Sequence, residues 1–166
     1  MNRKILLIAG LIAVLAATVA TIAYASGRND LAKIRSATKT FRKIEAVKAA
    51  GYSLVPDLDH CFDNPGVGGM GYHYINTASL DTKLNLLKPE AIVYAPDKKG
   101  KLHMAAVEYI VPAEPWDAEH SELPMLLGQH FHLNEDLGVY VLHAWVWKKN
   151  PSGVFEDWNP KVSCPS

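Results

Sequence analysis

The first periodic signal after an apolar N-terminal run is helical. Leu31, Ile34, Phe41, Ile44 and Val47 recur at near-helical spacing, with Asn29 or Asp30 available as a cap and Gly51 as a stop. The pattern predicts one amphipathic helix over 30–50, whose apolar stripe needs a partner surface. The rest of the chain offers strands, over 69–75, 91–95, 102–111 and 139–147. Asp97-Lys98-Lys99-Gly100 reads as a tight turn that joins the second and third strands in a hairpin. Pro112 and Pro115 end the long strand and open an acidic segment, 114–122, expected as an exposed loop over one sheet end. Asn150-Pro151-Ser152-Gly153 is a further turn, after which Trp158-Asn159-Pro160 leads an irregular tail to Cys164. Hairpin strands after one helix predict an α+β fold: an N-terminal amphipathic helix packed on a curved or barrel-like antiparallel β-sheet.

Because strand side chains alternate, each strand divides into two faces that can be inspected for misfits. One face of the long strand reads Leu102, Met104, Ala106, Glu108, Ile110, with Glu108 as its sole carboxylate. One face of the last strand reads Val139, Val141, His143, Trp145, Trp147, where His143 is equally isolated. In the first strand His73 lies between Gly71 and Ile75, with Tyr72 and Tyr74 on the opposite face. A buried carboxylate or imidazole without a partner costs several kcal/mol, so these groups must meet one another, another polar group or an ion. Two imidazoles and one carboxylate with open positions suit zinc, non-haem iron or a related divalent ion. The expectation is one spatial cluster of His73, Glu108 and His143, with Trp145 and Tyr72 as further ligand contacts. His132, in Gln129-His130-Phe131-His132, is an additional candidate ligand if that stretch is extended, and an exposed loop histidine if it is not. The bland alternative is a satisfied His–Glu hydrogen bond that only fixes strand register.

The N-terminus changes the picture by giving the chain an address. Arg3 and Lys4 precede Ile5 to Ala25, a stretch without charge that closes on Ala23-Tyr24-Ala25. This reads as a signal peptide over 1–25 with an A-x-A cleavage site. The run also reaches the roughly 20 residues that span a bilayer, so an uncleaved signal anchor is the alternative, and the only route to membrane contact. Either outcome translocates 26–166 as a single exported domain, periplasmic or extracellular. Cys61 and Cys164 are the only cysteines, and an exported chain with two is expected to carry one disulfide.

Charge excludes rather than suggests partners. Lys and Arg number 17, as do Asp and Glu. The basic residues concentrate in 28–48, alternating with core positions and without an aromatic stacking platform, which argues against nucleic acid. The serines form no G-x-S-x-G elbow, so a serine hydrolase has no support. Gly66-Val67-Gly68-Gly69-Met70-Gly71 lacks a following Lys-Ser or Lys-Thr and precedes a strand, so it is read as close backbone approach and not as a phosphate cradle.

Several motifs also carry a resemblance: Gly69-Met70-Gly71-Tyr72-His73-Tyr74, Val107-Glu108-Tyr109, Leu142-His143-Ala144-Trp145-Val146-Trp147, Asn150-Pro151-Ser152-Gly153-Val154-Phe155 and Trp158-Asn159-Pro160. In these the chain resembles an uncharacterised family of exported bacterial proteins. The resemblance implies no activity, substrate or cofactor, and it places His73, Glu108 and His143 within the shared segments. The expected function is an extracytoplasmic domain that binds a small molecule or a metal through a buried His/Glu/His pocket. A metal-dependent or acid/base enzyme using the same residues is the runner-up, and a structural or interaction protein is the third reading. Oligomeric state is left open.

Overall fold

The computed structural model describes residues 29–165. The expected signal peptide or anchor lies outside them, and among the described residues no helix is long and apolar enough to cross a membrane. The helical part divides in two. Residues 29–38 form α1, a single 3-10 turn follows over Lys39–Arg42, Lys43 is extended, and α2 runs Ile44–Ala49. The continuous helix expected over 30–50 breaks because backbone groups at the junction have other partners. The Phe41 carbonyl accepts from the Tyr94 hydroxyl, and the Lys43 N–H turns back to the Thr40 carbonyl. At the far end Gly51 supplies the stop its position suggests. With φ +89° it lets its own N–H reach the Lys48 carbonyl and that of Tyr52 reach the Val47 carbonyl, closing the helix in a Schellman pattern.

A six-stranded, fully antiparallel sheet forms the body, curled into a half-barrel. Its strands are β1 (Phe62–Asn64), β2 (Gly68–Ile75), β3 (Ala91–Pro96), β4 (Leu102–Pro112), β7 (His132–Asn134) and β8 (Val139–Ala144), in the order β1-β2-β3-β4-β8-β7. A separate small hairpin joins β5 (Met125–Leu126) to β6 (Gln129–His130). The turn between β3 and β4 is the one anticipated: the Asp97 carboxylate accepts from the N–H groups of Lys99 and Lys101, and Gly100 takes φ +77°.

Both sheet faces are covered. On one, Tyr94, Val107, Tyr109, Val111, Tyr140, Leu142 and Val146 pack in a cluster with Ile34 and Val47 of the helical segment. On the other, concave face lie Ile75, Ala91, Ile110 and Val141, and beside them Val93, Ala106 and Trp145. Strict alternation along β4 does not survive. Tyr94 pairs with Met104 but Val93 with Ala106, so Ala105 is an extra residue. Met104 therefore joins the helix-side cluster while Glu108 and Ile110 face the concave side, and Leu102 and Met104 do not share a face with Glu108.

The acidic segment is a further correction, since Ala113–Glu119 is a helix, α3, and not an exposed loop. Trp116 decides this: it is buried with Ala113, and its indole N–H donates to the Glu122 carbonyl. Pro115 is tolerated because first-turn N–H groups have no intrahelical acceptor. The glycine-rich stretch behaves as read. Gly68 and Gly71 have φ +146° and +110°, and a side chain there would run into the carbonyls of Asn159 and Tyr94.

Candidate metal centre

Glu108 and His143 are direct cross-strand partners on β4 and β8, so their side chains rise from adjacent points of the concave face. His73 comes from β2, with β3 intervening. The β3 residues beneath are Ala91, opposite Glu108, and Val93, opposite His73. These short side chains and the curl of the sheet let His73 reach across. The expected cluster forms: one ligand atom from each of His73, Glu108 and His143 lies within 4.8 Å of the others. The His73 and His143 Nε2 atoms are 3.2 Å apart, and His73 Nε2 is 3.6 Å from Glu108 Oε2. Donors around one ion at about 2.0–2.2 Å sit roughly 3–3.6 Å from each other, so both separations suit a shared divalent ion.

His143 has a second contact that its sequence context does not reveal. Its Nδ1 lies 3.3 Å from Glu108 Oε1 and 3.4 Å from Asp157 Oδ1. Asp157 is held in turn at 3.1 Å by Nε2 of His132, whose ring is half exposed. His132 thus stands behind the cluster, on Asp157. Tail contacts fix Asp157. The Asn150 side-chain amide donates to the carbonyls of Glu156 and Trp158, the Trp145 indole donates to the Glu156 carbonyl, and Asn159 bridges to Gly69. A carboxylate on the far nitrogen of a histidine fixes its tautomer and aims the other nitrogen as a ligand.

The electrostatics follow from burial and these neighbours. His73, His143 and Glu108 are 5%, 1% and 7% exposed. Burial is the largest effect on His73 and, with the charge of His143 adding to it, takes the ring down to about 4 against the pull of Glu108. Burial opposes charge on His143 as well, but Glu108 and Asp157 together outweigh it and the pKa is raised. Burial would lift Asp157, yet its contacts with His132 and His143 hold the carboxyl well below the usual range. His132 is raised, chiefly by the bond to Asp157. The two Nε2 atoms lie within hydrogen-bond distance of each other, whereas His73 Nδ1, His143 Nδ1 and Asp157 Oδ1 are buried without a hydrogen bond of normal geometry.

The centre forms the floor of a cavity of about 660 Å³. Its walls include Leu58, Phe62, Ile75, Ile110 and Val141, and Leu133, Glu135, Asp136 and Leu137 stand on its β7–β8 side. Tyr72 and Trp145 lie outside that lining. Tyr72 is half-buried and packs against the helix-side cluster; Trp145 is buried and stacks beside His143, with ring centres 6.1 Å apart. Trp145 therefore supports His143 from behind. His60 packs on Phe62, whose ring meets His73 edge-on at 5.3 Å. Cys61 and Cys164 form the expected disulfide. Compared with protein-family models, curated proteins and solved structures, the chain matches none at a significant level.

Proposed function

We propose that this is an extracytoplasmic metal-dependent binding domain, in which His73, Glu108 and His143 hold a divalent ion, zinc or iron, at the base of a small-molecule pocket. The observation that carries this reading is the place of the cluster. Three otherwise costly buried groups converge at the floor of an open cavity, each offering a ligand atom within 4.8 Å of the others. A group that only fixed strand register would be sealed and mutually satisfied. Export is supported by the disulfide, which persists in oxidising compartments, together with the basic and apolar N-terminus.

Metal analysis of protein purified without chelator tests the proposal. One zinc or iron per chain is expected, and Glu108→Gln and His143→Ala should each lose it while remaining folded. Metal-free wild-type protein that also takes up no added zinc or iron, with a large stability loss in both variants, would establish a purely structural cluster instead.

A further inference from the structure

The cavity above the centre is much larger than one ion needs, and its character is uneven. Polar donors gather at the floor, while Leu58, Ile75, Ile110 and Val141 form an apolar stretch of the wall, with Thr77 and Asn134 elsewhere in the lining. Leu133 and Leu137 beside it are 44% and 50% exposed and extend the apolar lining on the β7–β8 side. The volume, about 660 Å³, lies in the range of small-molecule sites. Charge at the floor points to the head group. Among the three residues that would hold the ion only Glu108 is a carboxylate, so this ligand set leaves a divalent ion one positive charge for an incoming ligand. Glu135 and Asp136 stand apart from the floor, near the mouth, where solvent screens them.

Resting on the metal-site reading, we propose that the pocket takes an apolar molecule with one anionic, metal-coordinating head group. The head occupies the open coordination positions between His73 and His143, and the body lies along Ile75, Ile110 and Val141 toward Leu133 and Leu137. Neither half of the site suffices alone. The stretch formed by Leu58, Ile75, Ile110 and Val141 carries no polar side chain to orient a ligand, and the ion alone would not select an apolar body.

The test titrates zinc-loaded wild-type protein with octanohydroxamate and acetohydroxamate by calorimetry, with bound zinc measured after each titration. Each fully buried methylene is worth a factor of roughly three to four; six of them in a pocket partly open to water should make the longer ligand on the order of 100-fold tighter. Removing the zinc should weaken it at least tenfold. Leu137→Ser, at a half-exposed position where folding is not at stake, should weaken octanohydroxamate several-fold and leave zinc content and acetohydroxamate binding as they were. Zinc uptake with equal affinity for both hydroxamates would overturn the inference and leave the metal site standing. Octanohydroxamate binding that is indifferent to zinc would overturn the assignment of the head. Failure to take up either zinc or iron would bring down both readings together.

Discussion

Asp157 gathers two imidazoles on one carboxylate, an arrangement whose effect is felt at His143. If it aims His143 Nε2 at an ion, Asp157→Asn keeps a side chain of the same shape and removes the charge that fixes the tautomer. Metal affinity should then fall about 10- to 100-fold, read by competition with a chelator, while the fold is retained. His132→Ala, one contact further out, should have a smaller effect in the same direction. Unchanged affinity in Asp157→Asn would mean that the 3.4 Å approach to His143 does no orienting. Residues of this kind also mark the limit of sequence reading. His73, Glu108 and His143 are legible because each interrupts an apolar strand face, a periodic background against which a polar residue stands out. Asp157 lies in an irregular tail with no period to violate. The available signal was indirect: a tail tied back by a disulfide and bearing Asn, Trp and Pro must pack on something. Tyr72 and Trp145 show the converse case, since an aromatic residue beside a candidate site in sequence can face the other side of the sheet, as Tyr72 does, or stand behind His143, as Trp145 does.

At the scale of elements, strands and their hairpin were legible from alternation and turn chemistry, whereas departures from regularity were not. The extra residue at Ala105 turns β4 over between Met104 and Glu108, and nothing local announces it. Acidic composition masked α3, whose formation depends on burying Trp116. Just before β3 stands a further buried group: Glu90, whose Oε2 accepts the Ile110 N–H of β4 at 3.1 Å. Burial raises its pKa from 4.5 to about 7. Below the lower value the carboxyl is protonated in both folded and unfolded chains. Between the two the folded protein retains a proton that the unfolded chain releases, so stability is full at the acid end and is lost as pH rises through about 7. The contribution is at most about 3 kcal/mol. Glu90→Gln keeps an acceptor for the Ile110 N–H and removes the titration. Urea unfolding should therefore show the variant gaining on the wild type between pH 5 and pH 8. A stability difference that is the same at both pH values would exclude Glu90 as the source.

For the molecule as a whole, the disulfide joins residues 103 apart and ties the tail to the strand edge beside the site. Cys61 precedes Phe62, which packs on His73, and Cys164 follows the buried Val162 that lies against Gly69. Two consequences of cutting this tie compete. One is global: freeing so long a loop in the unfolded chain costs the folded state about 2–5 kcal/mol, a large share of a typical net stability of about 5–15 kcal/mol. The other is local, the loosening of Asp157 and with it His143. The local effect is limited, because Asp157 is held between anchors that do not involve the disulfide: Asn150 and Trp145 on the backbone of 156 and 158, and the Gly69–Asn159 bridge. Replacing both cysteines by serine should therefore lower the urea midpoint markedly and leave zinc affinity within about tenfold of the wild type while the protein stays folded. A fall in affinity as large as that of Asp157→Asn, measured well below the unfolding transition, would show that the covalent tie and not the hydrogen-bonded anchors sets the tail in place.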